Sequence, residues 1–273
     1  MDQQIVPLAP LEVGVRKVAM VIPTAMDIKI PIKSAFGQVA IKAESGATAN
    51  LFTETDPTLQ QFTLSAWMIG GTHTISFELM QDVPSFNAFA IDDLLAACAM
   101  YEDNLFVNGS GTNQPQGLLG NVGAGVTGEV ADGNGNLLSI QATFDVLGTL
   151  NAFYHPGASW LMSRATGTEL RKAQMQSNLF APVFVTVNGK DYLHGYPVEY
   201  SSSMPAIAAG ATPVLFGDFN RGYLIGDRGG SGVNVKILDQ VLATAGQVVL
   251  LAYRRTDGRV RRSEAIQGIT LHS

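Results

Sequence analysis

The chain has 273 residues, a formal net charge of -6, 46% hydrophobic residues against 15% charged ones, and a mean hydropathy of +0.16. That is enough to bury a large core as one big or two modest domains, and too apolar for a disordered chain. The acid excess argues against a dedicated nucleic-acid-binding protein and leaves room only for a local basic patch, while so low a charge content points to surface covered by other subunits.

Residues 1–26 alternate weakly, and Pro7, Pro10 and Pro23 interrupt any regular element, so this stretch reads as an extended arm lying along a body or a neighbour. From Asp27 to Met80 the period is that of strands. Ile28, Ile30 and Ile32 alternate, as do Phe62 and Leu64, and Ile75, Phe77 and Leu79 extend the pattern to a strand over 75–82. Two middle strands are predicted at about 38–43 and 58–65. The segment between them carries turn residues and the acids Glu44, Glu54 and Asp56 but little to bury, so it reads as a projecting hairpin tip that needs a partner.

The period then becomes helical. Phe86, Phe89, Ala90, Leu94, Ala97, Cys98, Tyr101 and Leu105 recur at three and four residues, predicting a helix over 86–107 with Ser85 as its cap and Asp92, Asp93, Glu102 and Asp103 on its wetter side. Its exit at Asn108-Gly109 has residues that tolerate a left-handed C-cap. The following Gly109-Ser110-Gly111 is neither a phosphate loop nor a nucleophile elbow, because no strand precedes it and no helix follows.

Gly-rich residues 120–135, with Asp132-Gly133 and Asn134-Gly135, mark a domain transition. Beyond them, helices are predicted at 141–154 and 165–176, the second starting near Ser163 or Thr166. Strands are predicted at 160–162, 182–187, 196–201 and 213–217, an alternation that suggests a mixed α+β domain. The last quarter reads as strands at 223–226, 233–238, 247–254 and 259–265, the last two joined as a hairpin through Asp257-Gly258. Arg254, Arg255, Arg259, Arg261 and Arg262 cluster around that turn. They could protect a solvated edge, pair with a neighbour's acids, or contact packaged nucleic acid.

The single cysteine, Cys98, excludes an intramolecular disulfide and any multi-thiolate metal site, and His73, His155, His194 and His272 share no metal-ligand spacing. Neither metal nor cofactor is expected, and no catalytic residue is nominated. No apolar run approaches the ~18 residues of a bilayer span and residues 1–10 lack signal-peptide blocks, so a soluble cytoplasmic origin without membrane contact is the expectation.

Four motifs in order resemble the tailed-bacteriophage major capsid proteins, the Hong Kong 97-like fold, over nearly the whole chain. They are Glu102-Asp103 followed by Asn108-Gly109-Ser110-Gly111 and Gln114-Pro115-Gln116-Gly117-Leu118-Leu119; the run Ser76-Phe77-Glu78-Leu79-Met80-Gln81-Asp82; Gly195-Tyr196-Pro197-Val198 with Ser203-Met204-Pro205; and Phe216-Gly217-Asp218-Phe219 with Tyr223 and Asp227-Arg228. The resemblance implies an N-terminal arm (1–26), a peripheral domain (27–119) with an extended loop (34–66) and spine helix (86–107), and an axial domain (120–235). Peripheral C-terminal strands (236–273) follow, with their end free to return to the axial domain.

It further implies a structural protein that self-assembles as hexamers and pentamers into an icosahedral head around double-stranded DNA, in the virion, after assembly in the host bacterial cytoplasm. Expected partners are further copies of the chain, scaffolding protein, portal, decoration proteins and, weakly, the DNA. In such a shell the loop lies over a neighbour, so Glu44, Glu54 and Asp56 are expected to pair with Arg254, Arg255, Arg259, Arg261 or Arg262 across the interface. Some family members weld their shells by a Lys-Asn bond. Here Lys42 lies near the loop, but 247–262 offers no Asn or Glu, so no weld is expected. The long N-terminal scaffolding segment of family precursors is missing, which assigns scaffolding to a separate protein or to an upstream piece removed by cleavage. An encapsulin-type compartment is the nearest alternative, and a soluble hydrolase or transferase a remote one.

Overall fold

The computed structural model describes residues 12–33, 59–83, 86–128, 138–176, 182–230 and 232–272. Helix α1 (Val15–Val18) leads into strand β1 (Met20–Thr24), β2 (Ile28–Lys33) pairs with β3 (Leu59–Leu64), and β4 (Trp67–Ser76) runs into α2 (Phe77–Asp82). The long α3 (Phe86–Asn108) is followed by β5 (Gly123–Gly128), α4 (Ile140–Thr149), β6 (Ser159–Met162), α5 (Arg164–Gln176), β7 (Phe184–Val187), β8 (Lys190–Leu193), β9 (Tyr196–Tyr200) and β10 (Val214–Gly217). The chain then makes α6 (Phe219–Gly222), β11 (Tyr223–Arg228), β12 (Asn234–Leu238), β13 (Gln247–Val260) and β14 (Ile266–Leu271).

Two sheets organise these elements. The seven-stranded sheet has the order β5-β14-β10-β6-β9-β8-β7. Its central strands are buried on both faces, which is why Trp160-Leu161-Met162 and Val214-Leu215-Phe216 read as unbroken apolar runs. Trp160, Met162, Phe216 and Ile269 pack with Val146 and Leu170 of α4 and α5. Leu161, Leu215 and Ile266 point the other way, toward Val15, Phe106, Val107 and Leu118.

The five-stranded sheet is built around β13, which pairs with β11 and β12 along its length and with β4 as well. Ala90, Leu94 and Cys98 of α3 cover Ile75, Leu250 and Ala252 on one face. On the opposite face Met68, Gly70, Thr72 and Thr74 alternate outward along β4, and Met68 is 69% exposed.

Several local expectations need correction. The strand expected over 75–82 stops at Ser76, whose hydroxyl accepts the Leu79 N–H at 3.2 Å and starts α2. The alternation of Ile75, Phe77 and Leu79 fits either period over so short a run, and the cap decides it. The helix expected over 141–154 ends at Thr149, while Ser163 rather than Thr166 caps α5 by accepting the Thr166 N–H at 3.2 Å. Residues 20–24 form a strand parallel to β11 despite Pro23, which is tolerated because β1 is the outermost strand of its sheet.

Strand β8 was not anticipated, although Asn188-Gly189 before it takes left-handed φ values of 50° and 76°, the signature of a tight hairpin turn. The expected hairpin at Asp257-Gly258 does not exist, because β13 continues through both residues. Gly258 is there for space: a Cβ would lie 2.2 Å from the Tyr223 hydroxyl and 2.8 Å from Phe106. Ser85, Lys42, the strand expected at 38–43 and the tip acids Glu44, Glu54 and Asp56 lie outside the described residues.

Candidate subunit interface and the buried ion cluster

The end of α3 shows why the Gly-rich stretch after it has its sequence. A helix leaves its last carbonyls without internal partners. Here the chain turns back on itself, so that Leu118 N–H donates to Phe106 O at 2.8 Å and Leu119 N–H to Val107 O at 3.0 Å. The turn uses left-handed Gly111 (φ 77°) and Asn113 (φ 56°), whereas Asn108 and Gly109 are not left-handed as expected. Gly109 and Gly117 serve close approach: a Cβ on Gly109 would sit 2.2 Å from Pro115 O, and one on Gly117 2.5 Å from the Gly109 nitrogen. Ser110 accepts hydrogen bonds from Thr112 N–H and Gln114 within the same turn.

Glu102 and Asp103, expected on the wet face of α3, are 5% and 3% exposed, whereas Tyr101, expected in the core, is 57% exposed. The acids are buried because they have work inside. Asp103 accepts N–H bonds from Gly14 and Val15 at 3.1 and 3.0 Å and a further bond from the Ser201 hydroxyl, tying the N-terminal segment to the helix and to the segment after β9. Glu102 belongs to a cluster with Arg16, Asp227 and Arg254. Arg254 donates to Asp227 at 2.7 Å and to Glu102 at 3.2 Å, and Arg16 reaches the same two acids.

Two cations against two anions make the cluster formally neutral, which is what allows it to be buried. Thr256 adds a hydrogen bond to Asp227 at 2.9 Å. Burial raises the Glu102 carboxyl above its ordinary range, and Arg16 and Arg254 offset this only in part. At Asp227 burial pushes upward too, but the hydrogen bond and charge of Arg16, then Arg254 and Thr256, outweigh it and hold the carboxyl below its usual range.

The arginines singled out in the sequence therefore divide. Arg254 is 8% exposed and turned inward, so the expectation that it stands at a subunit surface is corrected. The reason is β13 itself: without a turn at 257–258 the residues keep alternating, and 254 falls on the face under α3. Arg255 falls on the opposite face, exposed, directly across from Arg228 of β11, which pairs with Asp27. It donates to the Ala66 carbonyl at 3.4 Å and pairs with no carboxylate among the described residues. Arg259 lies 3.8 Å from Asp257, Arg262 donates to Glu264 at 3.0 Å, and Arg261 reaches the Met20 sulfur at 3.9 Å.

Asp257, 1% exposed, anchors the root of the β2–β3 hairpin by accepting the Ser65 N–H at 2.8 Å. Burial pushes its carboxyl up to about 6 against the opposing pull of the Ser65 N–H, Arg259 and the Gly258 N–H. Among the histidines, His73 lies 3.1 Å from Asp93 and His155 bonds to the Tyr196 hydroxyl at 2.9 Å. The His194 ring packs on Phe144, and burial lowers its pKa. Among the described residues no group of three or more His, Cys, Asp or Glu is placed to hold a metal.

Two sheets, a capped spine helix and polar groups engaged mainly in joining elements define a structural building block. Residues 1–271 match the phage capsid family, and the chain belongs to that family. Its fold is that of solved capsids. The capsid of an empty GTA particle aligns over 100% of this chain and 94% of its own at 23% identity with a TM-score of 0.77. The Mycobacterium phage Adephagia structure aligns over 98% and 92% at 16% identity and 0.70. The SrpI encapsulin of Synechococcus elongatus aligns over 94% and 86% at 11% identity and 0.66. No curated protein matches the sequence.

Proposed function

We propose that this capsid-family chain is the tile of a tailed-phage head, assembling with copies of itself as hexamers and pentamers into an icosahedral shell around double-stranded DNA. The observation that carries the reading is the match of the family to residues 1–271. Scaffolding protein, portal and decoration proteins are its further partners, and assembly takes place in the host cytoplasm. The peripheral domain spans the hairpin, α3 and the C-terminal strands, and the axial domain the region around the seven-stranded sheet.

The half-covered five-stranded sheet supports this reading. Its outer face offers Arg255, and a neighbour's Glu44, Glu54 and Asp56 are the acids to meet Arg255, Arg259, Arg261 and Arg262. Each exposed pair contributes only ~0–1 kcal/mol, but a closed shell repeats it at every interface. Negative-stain microscopy of purified particles tests the reading: uniform shells that contain DNA are expected, while enzyme-loaded shells would favour a compartment and a lone monomer would reject both. Glu54→Lys with Asp56→Lys is expected to weaken assembly or lower the shell melting temperature, and unchanged values would reject the pairing.

A further inference from the structure

Asn-Gly occurs three times in the sequence, at 108–109, 134–135 and 188–189, and the second pair lies outside the described residues. The other two are alike in chemistry and opposite in structure. An asparagine followed by glycine can close on itself: the glycine nitrogen attacks the side-chain amide carbon, and the missing Cβ leaves the approach clear.

At the end of α3 both reacting groups are engaged. The Gly109 N–H donates to Leu105 O at 2.8 Å, and the Asn108 amide donates to Asn104 Oδ1 at 2.8 Å and to Ser203 O at 3.2 Å. The space is filled as well, since a Cβ on Gly109 would meet Pro115 O at 2.2 Å and Leu105 O at 2.4 Å. Ring closure there requires the last turn of α3 to open.

The turn between β7 and β8 imposes none of this. Asn188 and Gly189 are exposed, and Val187 and Lys190 close the ladder, so the Gly189 N–H lies beyond it. Among the described residues neither that N–H nor the Asn188 side chain has a hydrogen-bond partner. A Cβ on Gly189 would find nothing within 4 Å. Strand β7 is the outermost of its sheet and only four residues long, so the turn shifts against one short ladder.

We propose that Asn188 is a site of spontaneous deamidation in the folded chain. The Gly189 nitrogen bonds to the Asn188 side-chain carbonyl carbon, and the side-chain nitrogen leaves with the displaced proton as ammonia. The product is a five-membered succinimide. Water then adds to one of its two carbonyls, giving aspartate at 188 by one opening and isoaspartate, with the chain routed through the side-chain carbon, by the other. Nothing is oxidised or reduced, and water is the only co-reactant. Either product places a negative charge beside the exposed Val185 and Val187, at the end of a strand that carries none, and isoaspartate also inserts a methylene into the turn. The chemistry needs only the folded chain and does not depend on the shell reading.

The test is peptide mapping by tandem mass spectrometry of the full chain, held folded or in guanidinium chloride in mildly alkaline buffer at physiological temperature. In the folded chain Asn188 is expected to convert at least about tenfold faster than Asn108, with isoaspartate among its products; tenfold in rate corresponds to ~1.4 kcal/mol in barrier. In guanidinium chloride the two rates are expected to converge, because the residue pair is the same and the structural difference is gone. Equal rates in the folded chain, or slower conversion at Asn188, overturn the proposal. Aspartate formed at 188 without isoaspartate overturns it too, since direct hydrolysis bypasses the ring. Rates that stay about tenfold apart in guanidinium chloride assign the difference to sequence and overturn its structural cause.

Discussion

The two sheets of this capsid protein meet burial in opposite ways. The seven-stranded sheet is covered on both faces by the chain itself, and Trp160, Leu161, Met162, Leu215 and Phe216 are all 0% exposed. The five-stranded sheet is covered by α3 on one face, while β4 leaves Met68, Gly70, Thr72 and Thr74 exposed on the other, and under α3 it holds Arg254, Asp227 and Glu102 where the seven-stranded sheet would hold leucines. An apolar core gains from area removed from water and tolerates small losses. A buried ion cluster depends on the completeness of its partners, because any member left alone is a desolvated charge. The seven-stranded sheet is thus closed by the chain's own apolar residues, while the five-stranded sheet is tied internally by charge and leaves the outer residues of β4 exposed.

Removing one partner from the cluster gives the largest effect expected from this contrast. Asp227→Ala leaves Arg16 and Arg254 facing Glu102 alone and is expected to cost about 3–5 kcal/mol in unfolding free energy, measured by urea titration. A loss below about 1 kcal/mol would show that water, and not Asp227, balances the arginines.

Acidity offers a second way to sharpen the comparison. The folded-state pKa of Asp257 is raised to about 6, above the ordinary carboxyl value of 3.8, so between those values the folded chain binds the proton that the unfolded chain has released. Its contribution is fully present at about pH 4 and is lost as pH rises through about 6, at up to ~1.4 kcal/mol per pH unit. Asp257→Asn should remove this slope from melting curves taken between pH 4 and 6. A slope identical to wild type would assign it to other groups.

The smallest effect belongs to the seven-stranded side. Ile269→Val, in the two-layer apolar core, is expected to cost about 0.5–1.5 kcal/mol, with a difference from wild type that stays the same from pH 4 to 6. A pH-dependent difference would mean that the two sheets do not divide charge and apolar packing as their burial indicates.

Much of the architecture was legible in the chain because its signals are local. The long helix showed in the spacing of Ala90, Leu94, Cys98 and Leu105, the buried strand in the unbroken apolar run 160–162, and the α5 cap in Ser163 as one of two candidates with Thr166. Asn188-Gly189 announced β8 equally well and was a missed signal. The errors came where a local rule had two readings. Asp-Gly marks a turn in most contexts, yet Gly258 is glycine because Tyr223 and Phe106 lie across the strand, and no neighbour in sequence reveals that. The candidate surface was half legible: clustering singled out the arginines, but only the uninterrupted β13 fixed which of them face inward.

By itself the sequence determined which segments are helical or extended, that the chain is a capsid-family fold, and that its charge is unevenly placed, since period, turn residues and motif order are properties of neighbours along the chain. Only the tertiary structure decided what the charges do. Arg16, Glu102, Asp227 and Arg254 are 86, 125 and 27 positions apart in chain order, and their pairing exists because α1, α3, β11 and β13 converge. A carboxylate at the surface and one inside a neutral cluster have the same letter in the sequence. Desolvation and partner distance, which separate them, arise when distant segments meet.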